Sequence, residues 1–101
     1  MMRSVRSKNN VPVRLTSERW AHIIEEHCEL AGLREDVLET ISEPLMIVKG
    51  NRGEKLAVKK VGNEKYLVAV YREMHDDGFI ITAFLTKRYQ SLTKRKQLWP
   101  Q

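Results

Sequence analysis

Residues 79–87 read Phe-Ile-Ile-Thr-Ala-Phe-Leu-Thr-Lys, a β-branched and aromatic run that follows the turn signal Met74-His75-Asp76-Asp77-Gly78. The run has the composition of a strand well inside a sheet. Strand alternation puts Phe79, Ile81, Ala83 and Leu85 on one side and Ile80, Thr82, Phe84 and Thr86 on the other. The first side is wholly apolar and is assigned to the core. The second would stand Thr82 and Thr86 on an open sheet floor, with Lys87 and Arg88 at its end. Three more strands are predicted upstream, at residues 45–49, 56–61 and 65–73. They are separated by the loop Gly50-Asn51-Arg52-Gly53 and the tight-turn pair Gly62-Asn63.

Before the strands the period changes to that of helices. Trp20, Ile23, Ile24 and His27 fall on one face of a helix over residues 17–30, capped by Thr16 or Ser17 and closed by Ala31-Gly32. Leu33, Val37, Leu38 and Ile41 stripe a second helix, over residues 33–43, which Pro44 brings to a stop. Both helices are too short to hold alone and must dock on the sheet. The expected fold class is α+β: two N-terminal helices packed on a four-stranded antiparallel β-meander. Residues 12–101 form this single domain, and residues 1–11 are a flexible basic arm or a short edge segment. The end of the chain is either a short edge strand or a loose basic tail.

A chain of 101 residues supports one small core. No apolar run approaches the roughly 20 residues of a membrane span, and the basic amino terminus lacks the apolar segment of a signal peptide, so a cytoplasmic protein without membrane contact is expected. Cys28, the single cysteine, excludes an internal disulfide and a cysteine zinc cage. Its neighbours Glu26 and Glu29 disfavour a thiolate. Charge divides unevenly: residues 1–44 carry 6 basic against 8 acidic side chains, a balance of −2, and residues 45–101 carry 12 against 5, a balance of +7. A basic sheet half suits an anionic partner or is simply a solvated face.

Candidate chemistry starts with two histidines. His22 and His27 are five helical residues, about 500°, apart and so point about 140° away from each other, which does not suit one shared metal. Each is a general acid or base candidate, or else an ordinary surface (His22) or helix-end (His27) histidine. Arg72 could clamp a phosphate with its donor fork, or pair with Glu73. The hydroxyls of Thr82 and Thr86 could be ligands or merely wet. The turn holding His75, Asp76 and Asp77 supplies few ligands for a hard metal, and no Gly-rich phosphate loop or His-Glu-x-x-His occurs.

Taken together, Arg19-Trp20-Ala21-His22-Ile23-Ile24-Glu25-Glu26-His27, Ile41-Ser42-Glu43-Pro44, residues 65–72 and Gly78-Phe79-Ile80-Ile81-Thr82-Ala83-Phe84-Leu85-Thr86-Lys87 resemble the phage and mobile-element barnase/EndoU/colicin/RelE-like (BECR) nuclease group. The resemblance spans about residues 13–99. It implies a metal-independent endoribonuclease, toxin-like or a mobile-element effector, working by transesterification through the RNA 2′-hydroxyl without a cofactor. His22, His27, Arg72 and Thr82 would be catalytic. Lys59, Lys60, Thr86, Lys87 and Arg88 would hold the RNA. RNA is then the partner, with a cognate antitoxin or immunity protein besides; the oligomeric state stays open. The alternative is a catalytically inactive RNA-binding or protein-interaction module on the same scaffold. If the helices cover the sheet face opposite Thr82, a histidine can join Thr82 only at a sheet edge or end.

Overall fold

The structure, a computed structural model, describes residues 2–101. Among them the order is β1 (Met2–Arg6), β2 (Pro12–Thr16), α1 (Ser17–Glu26), a 3-10 turn (Cys28–Leu30), α2 (Arg34–Ser42), β3 (Met46–Lys49), β4 (Lys55–Gly62), β5 (Lys65–Met74), β6 (Asp77–Thr86), α3 (Tyr89–Thr93) and β7 (Gln97–Trp99). The strands form one seven-stranded sheet in the order β1-β2-β6-β5-β4-β3-β7.

This corrects the expected fold. The class is α+β, but the sheet is mixed and seven-stranded rather than a four-stranded meander, and the long helices sit between β2 and β3 rather than at the amino terminus. Three strands make the difference. Residues 2–6, expected as an arm or edge segment, pair antiparallel with β2 as the edge strand β1. The lead-in to α1 is itself a strand, with Val13 and Leu15 wholly buried, and it runs parallel to β6 through the pairs Val13↔Gly78 and Arg14↔Phe79. Pro12 opens β2, where the lack of an N–H disturbs the ladder least. At the far edge β7 pairs antiparallel with β3.

Local physics sets the helix limits. Thr16 caps α1 by accepting from the Arg19 N–H at 3.0 Å. The helix stops at Glu26 instead of continuing to residue 30, its last turn holding Glu25 and Glu26 and no basic residue, a poor match to the dipole. His27 takes φ −131° and ψ 69°, and the chain turns to bury Leu30 completely. α2 starts with Glu35 and Asp36, which favour its amino end, and stops one residue short of Glu43, before Pro44.

Two apolar layers result. On one face α1, the 3-10 turn and α2 bury Ile23, Leu30, Val37, Leu38 and Ile41 against Leu67, Ala69, Tyr71, Ile80 and Ala83 of the sheet. On the other, Leu92 of α3 caps Met46, Val48, Leu56, Val58, Val68 and Val70. The alternation expected for β6 shifts within the strand. The register slips between Val70 and Tyr71, so that Thr82 pairs with Val70 and Ile80 with Tyr71, and Ile81 is the extra residue. Ile80, not Phe79 or Ile81, therefore faces the helices, while Thr82 and Phe84 keep the opposite face.

Candidate functional site

The face of the sheet turned away from the long helices holds a hollow of about 440 Å³. Its floor is apolar: Leu56, Val70 and Phe84, with the bulged Ile81. Val70 and Thr82 are cross-strand partners, so Thr82 lies on this face of the sheet and lines the hollow. Thr82 Oγ1 is buried and meets no hydrogen-bonding atom of the protein. The bulge at Ile81 leaves Thr82 on this face and changes only the phase of Phe79 and Ile80.

Basic side chains make the walls. Arg72, at the end of β5, donates from Nη2 to the carbonyl of Arg52 at 2.9 Å. Arg95, beyond α3, donates from Nη1 to Asn51 Oδ1 at 2.9 Å and to the Lys49 carbonyl at 3.3 Å. Each guanidinium is thus tied to the β3–β4 loop by part of its fork, and among the described residues its remaining N–H groups have no acceptor of their own. Glu54 closes the loop side. Its carboxylate accepts from the Arg52 N–H at 2.7 Å and folds onto Gly50, where any side chain would collide with it. Hydrogen bonds from its own N–H and from that of Arg52, with Arg72 and Arg95 adding their charge, hold its carboxyl below the usual carboxylate range. An apolar floor with few convergent polar groups and a surplus of guanidinium is the make-up of an anion-binding site.

Of the four residues put forward as catalytic, the structure brings Arg72 and Thr82 into this one hollow. His27 does not line the hollow but lies against Phe84, which does. Beyond Phe79, β6 has no β2 neighbour, and the end of α1 and the 3-10 turn cover that bare edge. The His27 ring lies against Phe84, with centroids 6.3 Å apart and the planes tilted by 39°. Its Nδ1 is 3.6 Å from Glu29 Oε2. His22 is elsewhere, exposed on α1 beside Thr16, Glu18 and Arg19.

The residues put forward for RNA divide likewise. Lys60 and Thr86 both stand opposite Tyr66, on the same face as the hollow. Lys87 and Arg88 line a neighbouring hollow of about 450 Å³ together with Tyr66 and Tyr89. Lys59, opposite the core residue Leu67, faces the helices instead and pairs with Glu39 of α2. Arg95, Arg52 and Glu54 were not singled out in the sequence. Gly50-Asn51-Arg52-Gly53 announces a loop, but nothing local says that the loop folds over the sheet, and Arg95 lay in a tail without a periodic pattern.

Among the described residues no three His, Cys, Asp or Glu side chains come together as a set of metal ligands. No helix is long and apolar enough to cross a membrane. Comparison of the chain with protein-family models, with curated proteins and with solved structures finds no match.

Proposed function

We propose that this chain is a metal-independent endoribonuclease-like domain, related to the BECR nuclease group that its motifs resemble, and that the hollow over Thr82 holds the scissile phosphodiester. The observation that carries the reading is the convergence of a buried, unpartnered Thr82 hydroxyl with the guanidinium groups of Arg72 and Arg95. A phosphate supplies the acceptor oxygens that such a group lacks. The toxin-like role and a cognate antitoxin belong to the same proposal.

The reaction assigns a task to each side chain. The RNA 2′-hydroxyl attacks phosphorus, its proton passes to a base, the new O2′–P bond closes a cyclic phosphate, and the P–O5′ bond breaks as an acid protonates the leaving oxygen. Arg72 and Arg95 balance the charge that grows on the phosphoryl oxygens, and Thr82 Oγ1 donates to one of them. The groups at hand for proton transfer are the Glu54 carboxylate, which lines the hollow, and the His27 imidazole, which lies against Phe84 of its floor. DNA lacks the attacking hydroxyl and would not be cut.

The test is cleavage of a mixed-sequence RNA in excess EDTA by the wild type and by His22→Ala, His27→Ala and Arg72→Ala. The expected products end in 2′,3′-cyclic phosphate. His27→Ala and Arg72→Ala should be slower by about 10²-fold or more, and His22→Ala close to wild type. Intact RNA with all four proteins would overturn the catalytic reading. The second reading is then an RNA-binding module, and one observation favours it: the His27 ring packs on Phe84 rather than standing inside the hollow.

A further inference from the structure

The hollow beside the candidate phosphate site has a different character. Tyr66 of β5 and Tyr89 of α3 stack on each other, with ring centroids 4.6 Å apart and planes 23° from parallel. Both are half-buried and rest on the second apolar layer, yet both also line the open hollow with Lys87, Arg88, Gln90 and Glu64. Lys87 and Arg88 are exposed, and among the described residues neither side chain is in an ion pair. The hydrogen bonds of Arg88 are made by its backbone: its N–H donates to Thr86 Oγ1 at 3.0 Å and its carbonyl accepts from the Ser91 N–H at 3.1 Å. An aromatic stack flanked by unspent cations and a pair of polar side chains is more than packing needs.

We propose that the Tyr66–Tyr89 pair is a stacking platform for a base of single-stranded RNA, with Lys87 and Arg88 on the adjoining phosphate and Gln90 and Glu64 at the base edge. This rests on the reading that the sheet face binds RNA, and it adds where the strand runs. Thr86 and Thr82 lie on the same face of β6, four residues or about 13 Å apart, so the platform and the Thr82 hollow are in line along one strand. That separation suits a nucleotide further along the strand rather than the one being cleaved. A stacked base must be unpaired, so the platform selects single strands over duplex, and every base has a π-face, so it does so with little sequence preference.

The experiment is fluorescence anisotropy with a labelled single-stranded RNA whose 2′-hydroxyls are methylated, so that it binds without being cut. Tyr89→Ala should weaken binding about tenfold, and Tyr89→Phe, which keeps the ring, should stay near wild type. The paired duplex should bind more weakly than the single strand, and a nucleoside monophosphate far more weakly than the strand. A strand with abasic sites opposite the platform should bind wild type and Tyr89→Ala alike. Equal affinity of wild type and folded Tyr89→Ala for the intact strand overturns the platform, and so does an equal loss on the abasic strand. The abasic comparison on wild type alone decides the matter if Tyr89→Ala does not fold. The two proposals fail separately: binding that obeys the tyrosines without any cleavage in EDTA removes only the nuclease, whereas no RNA binding by wild type removes both.

Discussion

Thr82 and Tyr71 each bury a hydroxyl that no protein atom meets, on opposite faces of the sheet. An unmet buried polar group costs about 1–3 kcal/mol, so each asks for a reason. Thr82 has one, because the residue lines the hollow that Arg72 and Arg95 also line. Thr82→Val keeps the shape and removes the hydroxyl. It should raise the urea midpoint by an amount worth about 1 kcal/mol while lowering RNA cleavage, the trade expected of a functional group held at a cost in stability. A less stable Thr82→Val with full activity would show that the hydroxyl serves the fold. Tyr71 has no such opening; it is wholly buried under the helices. Burial, and secondarily the charge of Glu73, pushes its phenol well above the ordinary value of 10. Since the folded value is raised, the fold holds the neutral phenol. The corresponding stability is in full force below about pH 10 and is lost as pH rises beyond it. Tyr71→Phe should therefore melt no lower than wild type at neutral pH. It should also lose less of its Tm between about pH 8 and pH 11, measured side by side so that lysine titration cancels.

At the scale of elements, the parallel pair β2–β6 is the join that turns a meander into a larger mixed sheet, and it depends on Gly78. A Cβ at Gly78 would lie 2.8 Å from the backbone carbonyl oxygen of Arg72 and 3.2 Å from Val13 Cγ2. Backbone cannot give way there, so Gly78→Ala should cost about 1–3 kcal/mol, read from the urea midpoint at unchanged slope. This join also marks the limit of what the sequence discloses. The stripes of α1 and α2 and the turn-bounded apolar runs of β4 and β5 are local patterns, and the elements lie close to where those patterns put them. The seven-stranded sheet is not a local pattern. β1 is short and polar, β7 has three residues in a tail, and β2 meets β6 across 65 positions of chain, Val13 opposite Gly78. Nor does the bulge show, because in Phe79-Ile80-Ile81 every side chain is apolar and either phase reads as core. The resemblance groups Arg72 with Thr82, and the β5–β6 pairing brings both to one hollow. Arg95 and Glu54 reach the same hollow from segments whose fold only the sheet defines.

At the scale of the whole molecule, the division of charge along the chain becomes a division in space. Three acidic side chains of the helical layer take up cations near them: Glu35 pairs with Arg3, Glu43 with Lys8 and Glu39 with Lys59. Such exposed pairs contribute little to stability, but they consume cations that composition alone would count toward an anionic partner. On the other face, Lys60, Arg72, Lys87, Arg88 and Arg95 have no carboxylate within salt-bridge distance among the described residues. A single strand of RNA across this face would displace about 0.7 counterions for each phosphate neutralised. If these five side chains take one phosphate each, log affinity should fall against log salt with a slope of about −3 to −4. Lys87→Ala should make that slope shallower by about 0.7 and weaken binding to any sequence. Lys59→Ala should leave both slope and affinity as they are, despite removing the same formal charge, because its ammonium faces Glu39 rather than the open sheet. Anisotropy titrations of the uncleavable RNA over a range of salt separate the two. Equal effects of Lys59→Ala and Lys87→Ala would mean that the protein attracts RNA by net charge alone, and that the sheet face has no special part in holding it.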